Sequence, residues 1–203
     1  KWAVKWGEFI EADFQNLAVL DRVFSEFDVH AVMHFASFIE VGESVQQPAW
    51  YYKNNVVNTL ALLDKCVEYN IGSIIFSSTA AVYGEPQYVP IPESHLKLPI
   101  NPYGKTKWMV EQVLQDYQRA YGLNYGVLRY FNAAGAHPEE GLGELHDPET
   151  HLIPRLVLTG LGRYDSFSIF GSDYNTPDGT CIRDFIHVRD LASSHVKLLA
   201  YIS

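Results

Sequence analysis

Residues 73–78 read SIIFSS, and residues 101–112 read NPYGKTKWMVEQ. The first is a short apolar, β-branched run without polar alternation, the pattern of a strand covered on both faces. The second opens with an Asn-Pro start signal, with Asn101 as cap, and leads into a helical pattern over 102–121. A doubly covered strand followed by a helix is the repeating unit of a parallel sheet. The neighbouring stretches continue the alternation. VHAVMHFA (29–36) predicts a buried strand, and 44–69 a long helix with Val56, Leu60, Leu63 and Val67 on one stripe. Residues 8–12 form a short strand candidate and 17–27 a helix, while YGVLRYF (125–131) predicts a further strand. A loop with four prolines separates the SIIFSS strand from the 102–121 helix. Right-handed crossovers make this a doubly wound α/β fold, mainly parallel, with helices on both faces.

After Asn132 the pattern loosens into Gly, Pro and acidic residues up to Thr150. Residues 151–161 read as helix, 167–170 as strand and 188–202 as helix. The chain has 203 residues, 47% hydrophobic and 19% charged, enough for a soluble α/β domain with a sizeable core. A net charge of -9 without any basic run speaks against nucleic acid, which is held by clustered Lys and Arg. No apolar stretch is long enough to span a membrane, and no signal-peptide pattern opens the chain. Cys66 and Cys181 have no close-spaced partner, and Cys66 sits in an apolar helical pattern, as a buried free thiol would. The expectation is a cytoplasmic protein.

A sheet of this kind that binds a dinucleotide begins with a strand, a glycine-rich turn and a helix whose N-terminus meets the pyrophosphate. KWAVKWGEF (1–9) has nothing of that sort, and the Gly-Leu-Gly pairs at 141–143 and 160–162 lack a third glycine. The expectation is an internal piece of a longer protein, truncated at both ends and with little activity by itself.

Tyr103 and Lys107 stand four apart, so on a helix they share a face. A tyrosine hydroxyl titrates near ~10, and bringing it to about 7 needs roughly 4 kcal/mol. An ammonium about 4 Å away at an effective dielectric near 20 supplies on the order of 4 kcal/mol. The pair can therefore serve as a general base for an alcohol. Thirteen tyrosines and eight lysines are enough for the spacing to arise by chance. Context strengthens it, because Ser77, Ser78 and Thr79 end the apolar strand where parallel sheets bind ligands.

Six blocks, in order, carry a family resemblance: HFASFIEVGESVQQPAWYYKNN (34–55), IIFSSTAAVYG (74–84), NPYGKTKWMVEQ (101–112), LRYFNAAGAHP (128–138), PETHLIP (148–154) and DGTCIRDFIHVRDLA (178–192). From about Phe9 onward the chain resembles the UDP-glucose 4-epimerases, extended short-chain dehydrogenases/reductases of Rossmann-type fold. The resemblance implies NAD as cofactor, a UDP-sugar as substrate, and a homodimer through the 44–69 and 102–121 helices. It divides the chain into 1–135, a partial NAD-binding domain carrying the catalytic residues, and 136–203, part of a smaller substrate-binding region. It makes Tyr103 the base, Lys107 its electrostatic partner and a ligand of the nicotinamide ribose, and Thr79 the hydroxyl that contacts substrate. Asp13, Phe14, Phe35, Ala36, Ser37, Asn54, Ser77 and Tyr130 fall at cofactor positions. Asn132, Leu152, Phe170 and Arg183 fall at UDP-sugar positions, Arg183 as a diphosphate fork and Phe170 as a face for uracil.

Several departures qualify the match. Thr79 stands where several members have serine, Ile39 where some direct a lysine at the cofactor phosphates, and His151 where some have asparagine. Related dehydratases carry an Asp-Glu pair where this chain has Ala80 and Ala81, which favours epimerisation over loss of water. The rival readings are an enzyme of the same family acting on another nucleotide sugar, and a non-catalytic protein that keeps the fold. His30 and His34, four apart in the 29–36 strand, lack acidic or thiolate neighbours, so no metal is expected there or elsewhere. His187 reads as a packed or hydrogen-bonded histidine.

Overall fold

The computed structural model describes residues 3–203, which form two compact units: the chain up to Tyr130 together with Ser194–Ser203, and Phe131–Ser193. The first unit contains three parallel strands in the order β1 (Ala31–His34), β2 (Ser73–Thr79) and β3 (Asn124–Tyr130). Every residue of β2 is buried, as its unbroken apolar run requires. Ile74 and Phe76 point to one face. There they join Leu62, Leu63 and Cys66 of α4 (Asn58–Glu68) and Val110 and Leu114 of α5 (Pro102–Tyr121) in the core. Leu20 and Phe24 of α1 (Leu17–Glu26) pack against its margin.

The opposite face is covered by the end of α7 (Val188–Ile202). Gly126 is the register partner of Ile75, and a Cβ on it would come within 2.6 Å of Leu198. Glycine is required there so that the helix can lie against the strand. Helices thus cover both faces of a parallel sheet, as expected.

The 44–69 helix is not one helix. It begins earlier and is broken into α2 (Val41–Gln46), α3 (Pro48–Tyr52), a π turn (Lys53–Val57) and α4. Pro48 has no N–H to continue α2 and instead opens α3, where that group is not needed. The π turn adds a residue and rotates α4 about its axis, so the buried stripe is Thr59, Leu62, Leu63 and Cys66. Residues 8–12 and 167–170 are not strands: no partner strand pairs with either among the described residues, and Ile169 is 71% exposed. His30 precedes β1, exposed, with Nδ1 bonded to the Asp28 carbonyl.

α5 is set by its ends. Asn101 Oδ1 accepts the Gly104 N–H at 2.8 Å, Pro102 occupies the first turn, and Gly122 closes the helix with φ 73°. Its buried face carries Gly104, Lys107, Val110, Glu111 and Leu114, spaced three and four apart. Glu111 is 2% exposed. It accepts from Ser78 Oγ at 2.5 Å and from Arg129 Nη2 and Nε at 2.5 and 3.0 Å, tying α5 to β2 and β3.

In the second unit, β4 (Asn132–Ala134) and β5 (Phe185–His187) pair in parallel and α6 (Leu152–Gly160) stands between them in sequence. The ring of His187 lies where a Cβ on Gly135 would be, and its Nδ1 accepts the Arg189 N–H at 3.2 Å.

Glu111→Ala strands a guanidinium without its carboxylate and should cost about 3–5 kcal/mol in equilibrium denaturation. The double substitution Glu111→Leu/Arg129→Met should recover most of that loss. A single variant as stable as the parent would show that the pair contributes nothing.

Candidate active site

The carboxyl ends of β1, β2 and β3 and the first turns of α5 bring six of the expected residues together. Lys107 is 2% exposed, and its Nζ donates to Ser37 Oγ at 2.7 Å and to the Ser77 carbonyl at 2.8 Å. Ser77 Oγ is bonded to the Tyr130 hydroxyl. Tyr103, half-buried, is hydrogen-bonded to Thr79, whose Oγ1 also accepts the Ala81 N–H at 3.2 Å. Lys107, Ser37, Ser77 and Tyr130 thus form one hydrogen-bonded set and Tyr103 with Thr79 a second, with Tyr103 and Lys107 one turn apart on α5.

Two close approaches hold this arrangement. A Cβ on Gly104 would lie 2.8 Å from the Ala81 carbonyl oxygen, so α5 starts directly against the 3-10 turn Ala80–Tyr83 that comes after β2. Asn55, on the π turn, accepts the Phe38 N–H and donates to the Phe38 carbonyl and to Thr106 Oγ1. It fastens the segment after β1 to α5 one residue from Lys107. Sequence reading missed Asn55 and the Glu111–Arg129 pair. The adjacent Asn54-Asn55 is a weak signal for the first, and no local signal marks the second.

The electrostatics differ from expectation. The ordinary tyrosine value was expected to fall to about 7, yet burial pushes the Tyr103 hydroxyl above 10.0, with the Thr79 hydrogen bond opposing and Tyr130 adding. The reason lies in Lys107. Its Nζ is aimed at Ser37 and Ser77 and stands 5.9 Å from the Tyr103 ring centre. Burial also lowers its own value to about 7, so near neutrality it is only partly charged. His34, buried against Phe14 and Phe76 with its Nε2 bonded to Thr59, is lowered to about 4 by burial first and Lys107 second.

The other cofactor candidates lie in the same unit. Asp13 accepts the Gln15 N–H at 2.9 Å, and Gln15 Nε2 reaches Asn54 Oδ1 at 3.5 Å. Phe14 packs on His34, so it serves the core as well. Phe35 and Ala36 are exposed just past β1, with the Phe35 ring 4.8 Å from that of His195. Among the substrate candidates, Asn132 Nδ2 donates to the Asp184 carbonyl, which brings it beside Arg183 in sequence. Leu152 opens α6 and Phe170, 85% exposed, lies on a loop; among the described residues no ring contact ties Phe170 to that pair.

In the second unit the structure gathers Glu144, His146, Glu149 and His151, with one ligand atom of each within 4.8 Å of the others. Attention to His30 and His34 alone overlooked them, although the spacing in ELHDPETH (144–151) was the available signal.

Residues 2–203 match the NAD dependent epimerase/dehydratase family, and the chain belongs to it. It is 51% identical to a UDP-glucose 4-epimerase of Rhizobium meliloti over 98% of this chain and 61% of that protein. It is similar to the structure of a UDP-glucose 4-epimerase from Brucella ovis in complex with NAD, with TM-score 0.93 and 52% identity over 98% of this chain and 61% of that one. A Bifidobacterium longum UDP-glucose 4-epimerase in complex with NAD+ and UDP gives TM-score 0.91 and 41% identity over 96% and 59%. The chain thus spans about three-fifths of the length of these relatives.

Burial depresses Lys107 from 10.5 to about 7, so between those values the unfolded chain holds the extra proton and stability rises with pH. Below about 7 the full cost of burying the ammonium persists. Lys107→Met should therefore gain stability relative to the parent in acid. That gain should shrink by on the order of 5 kcal/mol as pH rises from about 7 to about 10.5. Urea denaturation across that range checks it, and a difference independent of pH would contradict it.

Proposed function

We propose that the protein containing this chain catalyses NAD-dependent epimerisation of UDP-galactose and UDP-glucose at the sugar 4-position, through a transient 4-keto sugar. The observation that carries this reading is the placement, one turn apart on α5, of Tyr103 with Thr79 and of Lys107 with Ser37 and Ser77. The donor set suits the cofactor: hydroxyls and an ammonium at the carboxyl edge of β1 and β2 match the hydroxyls of a ribose. Lys107, Ser37, Ser77 and Tyr130 would hold its nicotinamide end, and Asp13, Phe14, Phe35, Ala36 and Asn54 the remainder. Bound NAD would supply a reversible hydride acceptor for C4, so no net oxidation would result.

Tyr103 takes the proton of the 4-hydroxyl, and Thr79, already bonded to it, orients that hydroxyl. The phenol is too weakly acidic in the buried pocket alone. The cationic ring of bound oxidised cofactor, with the protonated fraction of Lys107, would supply the field that makes it a base. Asn132, together with Leu152, Phe170 and Arg183 of a substrate-binding region after residue 135, would bind the UDP-sugar. Ala80 and Ala81 occupy the 3-10 turn beside Thr79 and offer no acid to eliminate water, which supports epimerisation.

We infer a homodimer through the segment around α3 and the π turn together with α5. Those segments pack together and carry Trp50, Val57 and Met109 as exposed apolar side chains. A cytoplasmic setting suits the two free cysteines, and no helix among the described residues is long and apolar enough to cross a membrane.

In the full-length protein, Tyr103→Phe should lower kcat by roughly 10²–10⁴-fold with UDP-sugar binding retained. Turnover followed by separation of the two sugar nucleotides reads this directly. Near-parental kcat would remove Tyr103 from the base role, and faster turnover of a UDP-hexosamine would replace the substrate assignment.

A further inference from the structure

Glu144, His146, Glu149 and His151 occupy one stretch, ELHDPETH (144–151), wholly inside the second unit. None of the four is among the residues placed at cofactor or UDP-sugar positions. The two imidazoles lie side by side with ring centres 4.9 Å apart. His146 Nδ1 is bonded to Glu144 Oε1, which also lies 3.9 Å from His151 Nδ1. His151 Nδ1 meets Glu149 Oε1 at 2.9 Å, and that same oxygen accepts the His151 backbone N–H at 2.8 Å. Glu149 is 4% exposed, which separates it from an ordinary solvated carboxylate.

We propose that these four side chains form a binding site for a divalent first-row transition cation, with zinc as the reference case. Two imidazole nitrogens and two carboxylate oxygens are a borderline-soft donor set, which favours such an ion over magnesium or calcium. With bonds of about 2.0–2.2 Å, a tetrahedral zinc needs donor atoms about 3.3–3.6 Å apart. The observed 2.9 and 3.9 Å bracket that span, and small side-chain rotations close the rest. In the metal-free arrangement, contacts between the imidazole nitrogens and the carboxylate oxygens hold the four side chains together. The cation takes over that work, with each imidazole binding as the neutral ring. His151 is the N-cap of α6, so the ion pins the loop to the start of the helix that carries Leu152. The role is structural and independent of the epimerase reading.

The test uses full-length protein, stripped with a chelator, exchanged into chelator-free buffer and titrated calorimetrically with zinc chloride. One saturable equivalent per chain is expected, with no comparable response to magnesium. Zinc should also raise the Tm of the parent. His146→Ala/His151→Ala should weaken binding by at least roughly 100-fold, since even outer-shell partners are worth 10–100-fold, and should abolish the Tm shift. Should that variant not fold, His146→Ala alone, at an exposed side chain, should weaken binding at least roughly tenfold. Absence of saturable binding, or binding unchanged by the substitutions, would overturn the site. Neither readout depends on sugar turnover.

Discussion

A buried ammonium governs the arrangement of the first unit. Lys107 sits 2% exposed on the inward face of α5, and burial holds its proton loosely, at about 7. Its charge is tolerated because two oxygens on different segments, Ser37 Oγ past β1 and the Ser77 carbonyl on β2, accept from it. That requirement fixes the depth at which α5 lies against the sheet and the position of Tyr103 one turn earlier. An exposed lysine at the same spacing would impose neither.

The surrounding interior is polar to a degree that needs full satisfaction. Asn55 bonds Phe38 and Thr106, Thr106 bonds the Tyr103 carbonyl, and Thr59 links the Asn55 carbonyl to His34. Glu111 is matched by Ser78 and Arg129. Each group unpaired would cost about 1–3 kcal/mol, so the network resists rearrangement as a whole. Among the described residues, Asn58 Nδ2 is a buried donor left without an acceptor.

Much of the architecture could be read beforehand because its signals are local. SIIFSS is apolar throughout and became a wholly buried strand, and Asn101-Pro102 marked the start of α5. The unread parts depend on distant partners. β4 and β5 are three residues each and exist only through their mutual pairing, whereas 8–12 and 167–170 have the composition of strands but no ladder. The π turn is invisible to a count of 3.6 residues per turn, and it displaced the stripe chosen for α4. At the site, the spacing of Tyr103 and Lys107 disclosed a shared face. It could not disclose that the ammonium turns toward Ser37 or that burial would weaken it, since both depend on how deep the helix lies.

Gly126 accepts Leu198 against β3, so the chain leaves the sheet at Tyr130 and comes back at Ser194 to seal the same sheet's reverse side. Everything between is a topological excursion. Loops there can lengthen, shorten or exchange residues without altering any strand register in the sheet, because the hydrogen-bonded ladder contains none of them. Such a layout lets residues 131–193 drift in sequence while the sheet and the helix that carries Tyr103 and Lys107 stay fixed.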